Sequence, residues 1–332
     1  MMNGSKRKLV FLFIIITVAL LLLLEINLSS SPQKKGELAN NAELFSLLNT
    51  TSTPYPLPEQ TYNTSPSVTT LLRQLFAKKN VITDPSLIVQ KSQKRFENDK
   101  FDLYVEDDQL IIDSLWWQQE SEKVYEYVSQ KVEEKLDKKI IVVIAKPLKE
   151  SCGPRGQAFL KGEQLILIYA DNDTSREQLL GTLAHEVGHI LNNHKYEKLT
   201  DVALSEGMAT WAAGDYWKAW KGTDFDSGVI EMVEKNKYLP LVQNYDLEKA
   251  YDKNNPDCIA NRDELLTEFA SFIDYLISEY GVHKLAGLFE IRQPETLNNQ
   301  RIIYPPNYKA VYGLELNQLE YNWLNKILET NQ

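Results

Sequence analysis

His185-Glu186-Val187-Gly188-His189 is the stretch on which the reading of this chain turns. On an α-helix, residues four apart lie one above the other on the same face, so His185 and His189 present two imidazoles to one point in space. Glu186 follows about 100° further around the helix and stands beside that point instead of aiming at it. Two imidazoles can ligate one metal ion, and a carboxylate beside the ion is where a general base for an activated water belongs. Only four histidines occur in the whole chain, so two at this spacing carry information. The bland alternative is a solvated helix face that happens to carry the three residues. The flanks decide between them.

Upstream, Gln157–Leu160 and Gln164–Tyr169 are short β-rich runs, with Lys161-Gly162-Glu163 as a hairpin turn between them. Thr174 followed by Glu177 forms a capping box that starts a helix. Leu179, Leu180, Leu183, Val187, Ile190 and Leu191 then recur at helical spacing and mark its core face. The pentapeptide thus sits inside a well-started helix that follows a strand. Exposed main chain along Gln164–Tyr169 is a candidate edge on which an extended peptide could dock.

A catalytic zinc usually has three protein ligands plus water. A third histidine in the metzincin register HExxHxxGxxH is absent: Asn192 stands where glycine is required and Lys195 where histidine is required, and His194 is out of register. Asp201 is the nearest aspartate, without a surrounding motif. Glu206 lies in Leu204-Ser205-Glu206-Gly207-Met208-Ala209-Thr210-Trp211, which begins a second helix running to about Trp220 with Met208, Ala209, Ala212 and Tyr216 on its mainly apolar face.

HExxH followed after a short insert by an E-G-x-A-x-W helix resembles the gluzincin metallopeptidases, zinc peptidases of the peptidase-MA-like group with two histidines and one glutamate as ligands. The resemblance implies that Glu206 is the third ligand beside His185 and His189, that one Zn²⁺ ion is the cofactor, and that Gly207 lets the second helix pack closely. It implies an α+β, zincin-like fold, with a small mixed sheet packed on the HExxH helix and a mostly helical C-terminal part. More weakly, Glu264–Gly281 and Ala310–Leu328 resemble helices that follow the active site in that group. Phe101–Val105, a helix through Leu136 and Ile140–Ala145 resemble its strand–helix–strand lead-in. The likeness covers about residues 95 to 330, and only HExxH and the Glu206 segment are specific.

The chain departs from the pattern in places. Four residues after Glu206, where some relatives place a carboxylate that orients a ligand histidine, stands Thr210, so a contact there would be through a hydroxyl or absent. Where relatives often carry an oxyanion-stabilising tyrosine stands Leu266, leaving Tyr251, Tyr275 and His283 as candidates. The GxMEN exopeptidase signature is absent.

Composition bounds the rest. The 332 residues are 43% hydrophobic, enough for a sizeable core, and carry a net charge of −10. Nucleic acid is therefore not an expected partner, and no basic stripe or glycine-rich phosphate loop appears. Trp116-Trp117 and the group Trp211, Tyr216, Trp217 and Trp220 read as packing, because aromatics at helical spacing are more often core than ligand platform. Cys152 and Cys258 are the only cysteines. Outside the cytoplasm such a pair permits a disulfide, which would close a loop of about 100 residues worth up to ~4–5 kcal/mol in the chain-entropy model; two buried free thiols are the other reading.

At the N-terminus, Lys6, Arg7 and Lys8 precede an apolar run from Leu9 to Leu24, broken only by Thr17 and extended through Ile26 and Leu28. That approaches the ~20 residues needed to span a bilayer, and the preceding positive charge holds the N-terminus in the cytoplasm. The expected organisation is a signal anchor over 1–28, a Ser/Thr/Pro-rich stalk and linker over 29–80 (with a helix around Thr69–Lys79), and a zincin-like domain over 81–332. The expected protein is a single-pass cell-membrane zinc metallopeptidase with its C-terminal domain outside the cytoplasm, acting on a peptide or protein with Glu186 as general base. Secretion after cleavage near Ser29–Ser31 is the alternative for location, and a catalytically inactive zincin-fold binding or structural surface protein is the alternative for function.

Overall fold

Two apolar runs, Ile-Ile-Val-Val-Ile-Ala and Leu-Ile-Leu-Ile-Tyr, form neighbouring parallel strands at the centre of a five-stranded sheet. Runs without polar alternation are what a strand needs when both its faces are covered. The computed structural model describes residues 85–330 except 107–109, 111–112, 149–151, 161–163, 198, 200, 248–256, 290–294, 298–299 and 303–304. The apolar run Leu9–Leu24, the stalk, the helix expected at Thr69–Lys79, the Lys161-Gly162-Glu163 turn and Tyr251 lie outside the described residues. Among the described residues no helix is long and apolar enough to cross a membrane.

A short helix α1 (Pro85–Lys91) leads into β1 (Gln93–Glu97) and β2 (Phe101–Val105), which pair antiparallel. Helix α2 (Ser114–Val132) crosses to β3 (Ile140–Ala145), parallel to β2. Then follow β4 (Gly156–Phe159) and β5 (Leu165–Tyr169). The strand order is β1-β2-β3-β5-β4, with β2, β3 and β5 parallel and the two outer strands antiparallel. Gln164–Tyr169 is therefore not the free edge that the sequence suggested. The chain lays β4 outside β5, so β4 is the edge, and its residues are accordingly half-buried. One face of the sheet packs Val143, Ala145, Leu165, Leu167 and Tyr169 against Ile88 of α1. The other packs against α2 and α3.

Helix α3 (Arg176–Lys195) carries the HExxH pentapeptide. Its cap is Ser175, whose hydroxyl accepts from the Gln178 N–H at 3.1 Å. The expected cap, Thr174, is instead drawn into the preceding turn, where its hydroxyl donates to Asp171 at 3.0 Å and accepts from the Asp171 N–H. Helix α4 (Val202–Lys221) begins at Asp201, whose carboxylate accepts from the Leu204 N–H at 2.8 Å. Asp201 also accepts from the Tyr245 hydroxyl at 2.8 Å. That work as a helix cap accounts for Asp201, and the structure does not bring it into the cluster of His185, His189 and Glu206.

The remainder is mostly helical: α5 (Phe225–Glu234), α6 (Leu241–Asn244), the long α7 (Cys258–Tyr280), α8 (Val282–Leu285), a 3-10 turn (Ala286–Leu288), a small hairpin of β6 (Glu295–Leu297) and β7 (Gln300–Ile302), α9 (Tyr308–Tyr312) and α10 (Leu316–Thr330). The mixed α/β architecture, with its small sheet ahead of a helical part, is compatible with the α+β expectation. Helix α7 packs on α4 through Phe269 and Ile273, both fully buried, and on α5, while Phe272 meets Trp323 of α10. Cys152 and Cys258 form a disulfide with Cα atoms 6.1 Å apart across 106 residues. It ties the lead-in to β4 onto the first turn of α7.

Glu320 of α10 is fully buried. It accepts from the Tyr238 hydroxyl, from the Leu241 N–H at 2.6 Å and from the Val242 N–H at 3.4 Å. Burial pushes its carboxyl from the ordinary 4.5 up to about 7, against the pull of those donors. The folded chain therefore keeps a proton that the unfolded chain releases between about pH 4.5 and pH 7. The stability this confers is complete below that interval and lost as pH rises through it. The interval corresponds to about 3 kcal/mol. In Glu320→Gln, the fall in unfolding free energy from about pH 5 to pH 8 is expected to flatten by ~2–3 kcal/mol in urea titrations. A variant that keeps the full parental slope contradicts this account.

Candidate metal centre

The pentapeptide becomes a site because α4 comes unusually close to α3. A Cβ at Gly188 would lie 2.9 Å from the Ala209 carbonyl oxygen and 3.1 Å from its Cα. With hydrogen at that position, the backbone of α4 can rest on α3, and Glu206, one turn before Thr210, reaches the histidine face. Gly207 does for α4 and α7 what the sequence suggested: a Cβ there would lie 3.0 Å from Phe269 Cβ.

Three donor atoms meet at this contact. His185 Nε2 and His189 Nε2 are 3.0 Å apart. Glu206 Oε2 lies 3.3 Å from the first and 3.5 Å from the second. Donors held about 2.0–2.1 Å from a tetrahedral zinc are separated by roughly 3.3 Å, so the triangle fits zinc. The chemistry fits as well, since two imidazoles and a carboxylate are a common catalytic zinc set. His185 is 8% exposed and all three side chains are largely shielded from water.

Second contacts set the tautomers. The Thr210 hydroxyl donates to the Glu206 carbonyl at 2.9 Å, so toward His185 Nδ1, 3.1 Å away, it acts as acceptor. That places the His185 proton on Nδ1 and leaves the Nε2 lone pair facing the cluster. The hydroxyl reading of Thr210 made from sequence thus corresponds to a real contact. Ser205 Oγ approaches His189 Nδ1 at 3.3 Å. Trp217 lies against the His185 ring, centroids 6.1 Å apart, and its indole N–H donates to Thr267 at 3.2 Å. Packing is what sequence assigned to Trp217, but the residue it packs on belongs to the site.

Burial pushes the His185 imidazolium down, with the His189 and Arg262 charges adding to that and Glu206 opposing it. Burial also works against charge on His189, but the Glu206 carboxylate outweighs it and holds that imidazole up. For Glu206 burial alone would favour the acid. The charge of His189 and hydrogen bonds from both histidines hold it well below the usual carboxylate range.

Glu186 stands apart from this triangle, as its place on the helix requires. It is 4% exposed, and burial pushes its carboxyl up to about 8, with the nearby His189 charge and a hydrogen bond from the Ala158 N–H pulling the other way. The edge strand therefore touches Glu186 directly. At Gly156 a Cβ would meet the Glu186 carboxylate and lie 2.8 Å from Glu186 Cγ and from Thr182 Cγ2.

The other sequence candidates fall elsewhere. His194 is exposed and lies 3.4 Å from Glu134. Leu266 is buried. Tyr275 stacks on Phe272 and meets Tyr280 edge-on, and His283 is exposed on α8. A residue that sequence missed is Arg262 of α7, buried and near enough for its charge to act on His185. An arginine in a helix gives no sequence signal, since such residues are usually solvated.

The model of peptidase family M48 matches residues 130–245, the span that holds β3, β4, β5, α3 and α4 with all four site residues. That family comprises zinc metallopeptidases of the gluzincin type, in agreement with the resemblance carried by HExxH and the Glu206 segment. No curated protein matches the chain. Fold, donor triangle and family match together define a zinc-dependent metallopeptidase, with zinc as cofactor and a peptide or protein as substrate.

The crowding at Gly156 gives a specific expectation. Gly156→Ala must move β4 or Glu186, and misplacement of about 1 Å at a catalytic group costs on the order of 100-fold. A drop in kcat/KM of about that size is expected on a peptide substrate, with zinc content by mass spectrometry at the parental level. Parental kcat/KM in the variant would show that the contact does not set the position of Glu186.

Proposed function

We propose that His185, His189 and Glu206 hold one Zn²⁺ ion and that Glu186 is the general base of peptide-bond hydrolysis. The domain over 81–332 carries the reaction on a zincin-like frame, and a signal anchor over 1–28 with a stalk over 29–80 displays it outside the cytoplasm at the cell membrane. The observation that supports the ligand set is the donor triangle of 3.0, 3.3 and 3.5 Å. The support for the anchor is the apolar run Leu9–Leu24 behind Lys6, Arg7 and Lys8.

When bound, zinc polarises a carbonyl and acidifies a water toward a pKa of about 7. The chain does the rest. Thr210 and Ser205 keep both Nε2 atoms turned to the ion. Glu186 takes the proton of the attacking water and delivers it to the leaving amine nitrogen. Burial beside β4 raises that carboxyl above its ordinary range, which suits the return of the proton to the leaving amine. An extended peptide pairs with the free edge of β4, which brings its scissile bond past Glu186.

Glu186→Gln is expected to keep about one zinc per chain and lose cleavage by at least ~1,000-fold, whereas Glu206→Ala is expected to lose most of the zinc. Metal analysis and a quenched-peptide library on the full-length chain read both. An amide variant that cleaves at the parental rate removes Glu186 from its role, and undiminished zinc in the alanine variant removes Glu206. For the anchor, protease added to intact cells should digest a C-terminal epitope that sediments with membranes; an epitope protected until lysis refutes the orientation.

A further inference from the structure

Beside the metal centre lies a cluster of three cations and one carboxylate. Asp263 of α7 pairs with Arg155 at 2.5 Å and with Lys221 at 2.6 Å, and Arg262 Nε lies 3.6 Å away. Arg155 and Lys221 also sit over the Trp220 ring, at 4.8 and 3.7 Å. These side chains are between 11% and 25% exposed, so the excess of positive charge is held in a shielded place. Such an imbalance is costly unless an anion completes it.

Arg262 joins the cluster to the metal centre, near enough for its charge to act on His185. It is 9% exposed. Nη1 donates to the Gly153 carbonyl at 3.0 Å. A guanidinium has five N–H donors, and among the described residues its one ion pair, with Asp263, is too long for a hydrogen bond. Donors therefore remain for a ligand. The location is informative too. Gly153 and Arg155 lead directly into Gly156, the residue against Glu186. Three residues of chain span at most about 10 Å, so an anion held there belongs to a peptide residue within about three positions of the scissile bond.

We propose that Arg262, backed by Arg155 and Lys221, forms a carboxylate-binding subsite at the Gly153 end of the edge strand, selecting peptides with an acidic side chain or a free C-terminus close to the bond cut. The planar guanidinium fork matches a carboxylate in bidentate fashion, and the substrate carboxylate supplies the second anion of the cluster. The inference rests on the peptidase reading above.

The test uses the full-length, zinc-loaded chain and two peptide series on one neutral core. In the first, Glu or Gln occupies each of three positions on either side of the cleaved bond, with an amidated C-terminus. In the second, neutral peptides end in a free or amidated C-terminus at the same distances. The parent is expected to favour the carboxylate partner at least tenfold in kcat/KM. The series in which that preference falls tells an acidic side chain from a terminal carboxylate. In Arg262→Gln, kcat/KM should fall at least tenfold further for carboxylate peptides than for their neutral partners. Arg262→Lys, which keeps the charge without the fork, should show an intermediate loss and serves if the glutamine variant fails to fold. The same peptide pairs are titrated against Glu186→Gln protein by fluorescence anisotropy, which needs no turnover. Preferential binding without parental cleavage would sink the general-base reading and leave the subsite standing. Cleavage with no preference, or a preference that survives in Arg262→Gln and Arg262→Lys, overturns the subsite.

Discussion

Everything at this site depends on the backbone contact between α3 and α4. With Gly188 lying against Ala209, one turn of α4 serves four purposes at once. Ser205 and Thr210 reach the Nδ1 atoms of the two histidines, Glu206 completes the donor triangle, and Ala209 makes the contact itself. These are positions i, i+1, i+4 and i+5, one face of a helix. Any side chain at 188 would lift that face as a unit, so the ligand and the two hydroxyls would be lost together.

The two glutamates of the site show how partner geometry decides the state of a buried acid. Both are desolvated, which by itself favours the neutral form. Glu206 faces two imidazoles and is held low, while Glu186 faces one backbone N–H and a more remote imidazole and is raised. A low carboxylate and a depressed His185 are the deprotonated forms a metal needs. His189 runs the other way, because Glu206 holds its proton. Unequal partners thus shift two similar buried carboxyls in opposite directions.

What could be read from sequence was local. The spacing of His185 and His189, the apolar periodicity of α3, the strands Phe101–Val105 and Ile140–Ala145, and the hydroxyl at Thr210 each depend on residues within one or two turns. What could not be read was set by chain crossings. An apolar run such as Gln164–Tyr169 signals a strand but not its neighbours; β4 pairs on the outer side of β5, and β5 is buried. The helix cap slipped by one residue because Thr174 and Ser175 compete for the same role and Asp171 claims Thr174. Trp217 and Arg262 enter the site from the far end of α4 and from α7, and no pattern around either one announces it.

The edge strand raises a question of rigidity that its own pairing does not answer. β4 has one strand neighbour and half-buried residues, so burial alone holds it weakly. Yet Gly156 lies directly against the Glu186 side chain, so the strand must stay in register with that residue. Its lead-in supplies the missing constraint. Within residues 152 to 155, Cys152 is bonded to Cys258, the Gly153 carbonyl accepts from Arg262, and Arg155 pairs with Asp263. All three partners lie in the first two turns of α7, which in turn packs on the helix that bears Glu206. Glu206 and the edge strand are therefore referred to the same helix. The geometry between Glu186 and the edge strand is fixed from the helical part of the molecule, through a covalent tie, a hydrogen bond and an ion pair, and not from the sheet to which the strand belongs.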